Sequence, residues 1–307
     1  MKTSFLLLSV IFCGALSGAP DVPAAVVATS YQSLPPVVAP GQIITFLIHG
    51  IGTSLTGPIR ASTIPLPLSL GGISAILLDF SRNPAVPILA VEPISACGTP
   101  PTPRCSVFTA VTVQIPYEIL YVDPNVNCGG CLSFGGNLSF AENGTTVANI
   151  YVAAYVDQIH LVRSCDLMLA KRDLFSCRPI LTHASGDLVN DSNPAKAGEE
   201  VVLYAVGLGP IGPGTNSPRF TVSFDFRPDA LASRPHLNSE KPVFAGLTPG
   251  FQGLYQINVV IPAAPLGTPP CTPGGVVANP PIQTNLTINV GGPLSFDGIG
   301  ICVAVGP

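Results

Sequence analysis

The sequence predicts an all-β protein built from two tandem β-sandwich domains, and three observations support this. There are 31 glycines and 34 prolines among 307 residues, and both residue types interrupt helices. The apolar runs between them are short and rich in β-branched side chains, which is typical of strands. One such run occurs twice, as Pro40–Gly52 and as Ala197–Gly212.

The two copies align without a gap when Gly41 is placed on Gly198. The other glycines that then coincide are Gly50 with Gly207 and Gly52 with Gly209. Only glycine adopts a positive φ freely, so these positions mark the ends of a strand. Alternate residues of a strand share a face. The side chains predicted to face the cores are Ile44, Phe46, Ile48, Val201, Leu203 and Ala205. The opposite, mixed face is predicted to be wetter, at Thr45, His49, Glu200 and Tyr204.

The first domain is predicted over residues 20–160, with each strand bounded by Gly, Pro or polar residues. Its predicted strands are Gly41–His49, Ile73–Leu78, Pro87–Val91, Phe108–Ile115, Leu138–Phe140 and Thr145–Val156. A turn signal at 142–144 joins the last two as a hairpin. Phe108–Pro116 ends in Ile-Pro, as Gly253–Pro262 does in the second copy. Proline cannot donate to a strand ladder, so both prolines mark the margin of a strand.

Residues 161–178 are predicted to be a linker between the domains, and they contain the one predicted helix, Asp166–Phe175. Asp166 can cap this helix, and its apolar side chains share one face. The second domain is predicted over residues 179–307. Its predicted strands are Pro179–His183, the repeated run, Arg219–Phe226, Val243–Ala245, Leu254–Ile261, Thr284–Val290 and Gly300–Val305.

The N-terminal residues 1–19 have the pattern of a secretory signal peptide, with Lys2, the apolar run Phe5–Phe12 and small residues up to Ala19. No later run reaches the roughly 18 apolar residues that a spanning helix requires, so no transmembrane segment is expected. Only 10% of the residues are charged and the net charge is −4, which argues against nucleic acid as a partner. We therefore expect a secreted, extracellular or cell-surface protein.

Cys13 lies in the predicted signal segment, and the other eight of the nine cysteines are predicted to form disulfides, as is usual in exported chains. Pairing between neighbours in the sequence is predicted because each pair brackets a short polar or Pro-rich segment. The predicted pairs are Cys97–Cys105, Cys128–Cys131, Cys165–Cys177 and Cys271–Cys302. A redox role for the Cys-Gly-Gly-Cys segment is disfavoured, because it needs a thiolate at a helix N-terminus. A zinc site would need a second ligand pair at suitable spacing.

The sequence predicts no catalytic site and no cofactor. The histidines are scattered and are each predicted to lie at the surface or on a strand edge: His49, His160, His183 and His236. Glu199 and Glu200 are adjacent on a strand, so they point to opposite faces and cannot act together as a glycosidase pair. A Gly-x-Ser-x-Gly elbow, which would indicate a hydrolase, is missing.

The sequence offers two candidate binding sites, a calcium-binding loop and a carbohydrate-binding face, and both are disfavoured. Asp187, Asn190 and Asp191 form an oxygen-rich loop that could hold calcium, but the loop lacks the ligand spacing of a known calcium motif. A solvated loop between strands is the favoured interpretation. The chain contains no Trp, and sugar-binding faces usually stack their ligands on aromatic rings. A carbohydrate-binding face is therefore disfavoured, although Tyr and Phe could serve.

Four segments together resemble a known family: LPLSLGGI at 66–73, DLVNDSNPAKAG at 187–198, VVLYAVGLGP at 201–210 and AGLTPGFQGLYQINVVIP at 245–262. It is the uncharacterised C-terminal domain family expanded in exported proteins of Solibacter-type soil bacteria. The resemblance covers nearly all of the chain after residue 19 and is more specific in the second half. It implies export and an immunoglobulin-like domain similar to IPT/TIG modules, and it implies no catalytic residue. The cysteine-bearing segments depart from the family pattern.

These observations predict two tandem immunoglobulin-like sandwiches with loop disulfides, in a non-catalytic structural or adhesion module. The expected partner is an extracellular protein or polysaccharide, and self-association is a further option. The alternative is a soluble binder of an extracellular polysaccharide or small ligand through loops at the sandwich ends. A hydrolase would require converging carboxylates or a Ser–His contact, and it is the least favoured class.

Overall fold

The computed structural model describes residues 23–79, 82–95, 107–124, 134–171, 177–227, 230–236, 239–273 and 282–305. Within these ranges the chain forms strands and turns, so the predicted all-β class is confirmed. None of these ranges contains a helix long and apolar enough to cross a membrane. The predicted signal segment 1–19 lies outside the described residues, as do Cys97, Cys105, Cys128 and Cys131.

The described residues of the first half form eleven strands. They are β1 (Ala25–Thr29), β2 (Val37–Val38), β3 (Ile43–His49), β4 (Ile59–Arg60), β5 (Ser69–Leu70), β6 (Ile73–Leu78), β7 (Ala85–Val86), β8 (Ile88–Ser95), β9 (Val107–Gln114), β10 (Gly135–Glu142) and β11 (Thr145–Ala154). One sheet has the order β1-β3-β9-β8-β4, and the other has the order β2-β11-β10-β6-β5 with β7 beside β6. Paired strands are antiparallel except β2, which runs parallel to β11. Side chains from both sheets share one hydrophobic core, as in a β-sandwich.

The second half forms ten strands and a separate core. They are β12 (His160–Leu161), β13 (Leu181–His183), β14 (Glu200–Val206), β15 (Thr221–Asp225), β16 (Phe244–Leu247), β17 (Tyr255–Val260), β18 (Thr272–Pro273), β19 (Ile282–Gln283), β20 (Leu286–Gly291) and β21 (Phe296–Ile301). The sheet β12-β14-β17-β16, with β13 also on β14, faces the sheet β15-β20-β21 across that core. Strands β18 and β19 pair only with each other.

The sheet order of the first half recurs in the second half. Strands β1-β3-β9-β8 correspond to β12-β14-β17-β16, and β6-β10-β11 correspond to β15-β20-β21. The Gly41 N–H donates to the Ile115 carbonyl at 2.9 Å, and the Gly198 N–H donates to the Ile261 carbonyl at 2.7 Å. The two glycines have φ values of +75° and +79°, which explains why glycine stands at both positions.

The repeated strands bury the predicted core face. The six predicted core side chains, Ile44, Phe46, Ile48, Val201, Leu203 and Ala205, are all fully buried. The prediction that the opposite face is wet is wrong at Thr45, which is also fully buried. Its hydroxyl lies 2.9 Å from that of Thr112 on the neighbouring strand. This contact satisfies both hydroxyls and removes the cost of burying them.

The predicted helix at Asp166–Phe175 is wrong, because the described residues of this segment form turns. The Asp166 carboxylate accepts a hydrogen bond from the Arg163 N–H at 2.8 Å and lies 2.9 Å from His160 Nε2. A capping carboxylate must instead accept N–H groups from the residues that follow it. Asp166 is therefore turned back toward the preceding strand and cannot start a helix.

The two halves pack against each other through a small apolar cluster. Ile43 of the first half and Val162 and Val206 of the second are buried in it. Gly253 lies so close to the first half that a Cβ there would be 2.6 Å from the carbonyl oxygen of Gly41. Arg60 of β4 adds hydrogen bonds to backbone carbonyls of the second half, at 3.2 and 3.4 Å. The halves therefore form one packed unit.

Candidate functional site

One cavity of the described chain is a groove of about 360 Å³ at one edge of the second half. It lies between β13, at the edge of one sheet, and β21, at the edge of the facing sheet. Its volume falls in the range of small-ligand pockets, roughly 300–1,000 Å³. Apolar side chains that line it include Leu181, Val189, Ile299, Ile301 and Leu231. We call this cavity the edge groove.

The outer edge of β21 forms one wall of the edge groove. The Gly298 carbonyl points away from β20 and accepts a hydrogen bond from Arg163 at 3.0 Å. The Cys302 carbonyl also points away, because it accepts the Ala195 N–H at 3.2 Å. The N–H and carbonyl groups of successive residues point to opposite sides of a strand. Those of Gly300 therefore point to the same outer side as the Gly298 and Cys302 carbonyls, between these two contacts.

Two disulfides border the edge groove. Cys177, which bonds to Cys165, and Cys302, which bonds to Cys271, both line it. These are two of the four predicted pairs. Next to the Cys165–Cys177 disulfide, the Ser164 N–H donates a backbone hydrogen bond to the Arg178 carbonyl at 2.7 Å. The walls of the groove are thus covalently and sterically fixed.

Charged side chains stand at the rim of the edge groove. Arg163 donates to the Asp297 carboxylate at 3.2 Å, in a half-buried pair. Arg178 lies 3.5 Å from Asp191, and both side chains are nearly half exposed. Exposed pairs of this kind contribute about 0–1 kcal/mol, so Arg178 can exchange its partner at little cost. The residues that line the groove include two guanidinium groups, Arg163 and Arg178, and one carboxylate, Asp191, in a chain of net charge −4.

A buried polar cluster lies next to the edge groove, where the two halves meet. His160 is 6% exposed, and its ring stacks on that of Tyr31 with centroids 3.9 Å apart. The Asp166 carboxylate lies 2.9 Å from His160 Nε2, and the Asp297 carboxylate lies 3.6 Å from Nδ1. Gln42 donates to the Tyr31 hydroxyl at 2.9 Å. Burial raises the pKa of this phenol above its usual range, so it stays neutral.

A second, smaller cavity of about 280 Å³ contains a His–carboxylate pair. His183 Nδ1 contacts the Glu199 carboxylate, and Nε2 lies 3.3 Å from the Asn193 carbonyl. Partial burial raises the pKa of Glu199, but hydrogen bonds from His183 and from the Lys196 N–H outweigh it, so the net shift is downward. Both imidazole nitrogens are engaged, and the arrangement fixes the loop that precedes β14.

The calcium candidates have separate partners. Asp187 accepts a hydrogen bond from the Ser185 hydroxyl at 2.9 Å. The Asn190 side chain folds back onto the backbone of its own loop, while Asp191 pairs with Arg178. The described residues contain no group of three or more His, Cys, Asp or Glu side chains able to hold a metal.

The four histidines were predicted to lie at the surface or on a strand edge, and two of them are on edge strands but are not exposed. His160 and His183 do lie on edge strands, but both are buried against carboxylates. His49 is half-buried beside the Phe108 ring, and His236 is exposed. Glu199 and Glu200 have different partners, as the alternation predicts, since Glu200 accepts from the Asn258 amide at 2.8 Å.

The sequence interpretation missed the residues that shape the edge groove. One signal was available, because Gly298 and Gly300 lie inside a strand, where glycine often marks a close approach of other groups. A Cβ at Gly298 would lie 3.0 Å from the Ala232 backbone. The contact between Arg163 and Gly298 spans 135 positions of the sequence, and no local pattern predicts such a contact.

The edge groove offers an apolar wall, a backbone donor and acceptor of Gly300 on the outer side of β21, and rim charges of both signs. These are the elements of a binding site. The buried histidines contact carboxylates and a backbone carbonyl, which orient the strands they join. The family models, the curated proteins and the solved structures contain no significant match to this chain.

Proposed function

We propose that the protein is an exported, non-catalytic interaction module of the adhesion type, acting at the cell surface or in the extracellular matrix. The observation that carries this proposal is the edge groove, an apolar binding surface fixed by two disulfides at the margin of a packed scaffold. Its expected partner is an extracellular macromolecule that the groove and its rim can hold.

The proposal includes two tandem immunoglobulin-like domains, one in each half of the chain. It is supported by the recurring sheet order and by the matching turns at Gly41 and Gly198. It is also supported by the segments that precede them. Val38 pairs in parallel with Ala154, and Ala195 pairs in parallel with Val303, each three positions before its glycine.

Export is supported by two independent features. Both disulfides fit an oxidising compartment. The N-terminal residues 1–19 have the charge and hydropathy pattern of a signal peptide. A non-catalytic role is supported by the chemistry of the polar clusters. General bases need a free ring nitrogen or carboxylate facing a substrate, whereas His160 and His183 are enclosed by their partners.

A second candidate function is the binding of a small extracellular ligand or polysaccharide. The volume of the edge groove favours a small ligand. A polysaccharide is less favoured, since none of the described residues that line the groove is aromatic, and sugar rings usually stack on aromatic side chains.

The proposal is tested by retention of the purified protein on insoluble polysaccharides and on the envelope fraction of the source organism. Leu231, 87% exposed, lines the edge groove, whereas Leu266 is fully exposed and does not line it. We expect saturable retention on the envelope fraction, lost in Leu231→Asp and kept in the matched control Leu266→Asp. Retention on one polysaccharide alone would favour the second candidate, and equal retention of both variants would contradict binding at the groove.

A further inference from the structure

We propose that the edge groove binds an extended polypeptide segment, which adds to the outer edge of β21 beside Gly300. This inference rests on the proposed function and names the class of its partner. The observation behind it is that the groove offers a strand edge together with apolar side chains. Extended peptides bind other proteins in this way, with backbone hydrogen bonds for affinity and pockets for alternate side chains.

The backbone of β21 defines where the segment pairs. Along the outer edge, the Gly298 carbonyl accepts a hydrogen bond from the Arg163 side chain, and the Cys302 carbonyl accepts one from the Ala195 N–H. Gly300 lies halfway between them and is half-buried. The interval from Gly298 to Cys302 is about 13 Å long at the rise of a β-strand, so one residue of an extended peptide can exchange both backbone hydrogen bonds with Gly300.

The side chains around Gly300 favour apolar residues on either side of the peptide residue that pairs with it. Ile299 and Ile301 point into the core, and with Leu181 and Val189 they form the inner wall of the groove. On the outer side, Leu231 is 87% exposed. In an extended peptide, the two residues that flank the one paired with Gly300 share a face. A peptide with apolar residues at these alternate positions can therefore bury both against the inner wall of the groove.

The rim charges favour acidic residues in this peptide. The Arg178 side chain is nearly half exposed, and within the described part of the chain its ion pair is the 3.5 Å contact with Asp191. Arg163 closes the other side of the groove beside Gly298. Carboxylates are the usual partners of guanidinium groups in exchangeable surface contacts. The preferred segment is therefore extended and alternates apolar with acidic residues.

A glycan or a second copy of the chain fits less well. Sugar hydroxyls would leave the inner apolar wall without a complementary surface, and no aromatic ring is present among the described lining residues. A second copy would bring its own strand edge to the same groove, where, among the described residues, the contacts of Arg163 and Ala195 with β21 leave only Gly300 between them for pairing. A short extended peptide can pair with so short a stretch of β21 more easily than the edge strand of a folded domain can.

The test uses the whole protein and a display library of linear twelve-residue peptides as the probe. Enriched peptides are synthesised, and their affinities are measured by fluorescence anisotropy for the wild type, Leu231→Asp and Leu266→Asp. We expect alternating apolar and acidic residues in the enriched peptides. Leu231→Asp should weaken binding about tenfold or more, as expected when a buried apolar contact is replaced by a charge, and Leu266→Asp should leave it unchanged.

Backbone pairing is tested separately with matched peptides that are N-methylated at alternate amides. Losing one or two backbone hydrogen bonds should weaken binding about five- to tenfold, and the Gly300 amide should become protected from hydrogen exchange in the unmodified complex. Lack of enrichment, equal binding by N-methylated peptides or equal binding by Leu231→Asp would each overturn the inference. If the envelope fraction still distinguishes Leu231→Asp from Leu266→Asp, the edge groove remains the binding site but its partner is not an extended peptide.

Discussion

The turns that lead into β3 and β14 make the same hydrogen bond with different side chains. In the first half, Gln42 accepts the Ala39 N–H at 2.6 Å; in the second, Glu199 accepts the Lys196 N–H at 2.9 Å. Both pairs are three residues apart and lie at the same distance from the opening glycine. Yet Gln42 is fully buried, whereas Glu199 is partly exposed.

Gln42 and Glu199 differ in burial because the two turns have different surroundings. Gln42 lies where the two halves meet, and its amide also donates to Tyr31. A neutral side chain suits that position, because an ionised carboxylate without a counterion is costly to bury. Glu199 lies at a wetter site, where His183 stabilises its charge. The backbone turn is thus common to both halves, while the contact between them determines which polar group fills it.

The largest effect is expected for Gln42→Glu, which places a carboxylate in the buried turn. It should lower the free energy of unfolding at pH 7 by about 3–5 kcal/mol, the cost of an uncompensated buried charge. Burial raises the pKa of such a carboxyl in the folded state, so the loss should shrink as the pH falls toward about 4, near the ordinary pKa of Glu. Urea denaturation at both pH values measures this. A loss that is equal at both would show that charge is not the cause.

The next effect concerns Val206 and its counterpart His49, which lie on the outer faces of β14 and β3. Val206 is fully buried between the halves, whereas His49 is half-buried. Val206→Ala should reduce the free energy of unfolding by about 2 kcal/mol, from two lost methylene equivalents and the cavity left behind. His49→Ala should cost less than about 1 kcal/mol. Thermal unfolding of both variants tests this, and equal losses would contradict a packed interface at Val206.

The smallest effect is expected for Glu199→Gln, which gives the second turn the side chain of the first. The pKa of Glu199 is lowered in the folded state, so its ionised form stabilises the protein above the ordinary carboxyl pKa of about 4.3, and this stabilisation is lost as the pH falls through the folded value. Because Glu199 is partly exposed, we expect a loss under about 1 kcal/mol at pH 7. The wild type and the variant should converge once the pH falls below this lowered pKa. A difference that persists there would point to lost packing instead.

The sequence predicted the parts of this fold that depend on neighbouring residues. The glycines at 41 and 198 and the apolar alternation of β3 and β14 were sufficient to place the two central strands and their inner faces. The burial of His160 could not be predicted, because it depends on Tyr31, 129 positions earlier in the chain. The helix at Asp166 was predicted on capping propensity, and a tertiary contact with His160 overrode it.

The edge groove depends on similarly distant contacts. Its walls come from β13, β21 and the irregular segment that contains Leu231, and each of these segments has an ordinary sequence pattern when taken alone. Only the pair of glycines in β21 suggested a site where another backbone approaches. The fold class could therefore be predicted from local sequence patterns. The edge groove could not, because it forms only when distant segments of the second half pack together.

The most direct test compares β11 and β21, the strands that correspond in the two halves. Hydrogen exchange is measured along the whole protein, free and bound to the envelope fraction that retains it. The proposed binding predicts slower exchange at Gly298–Ile301 and in the flanking segment 177–181, with β11 unchanged. Protection confined to β11, or no change at Gly300 in the retained protein, would contradict binding at the edge groove.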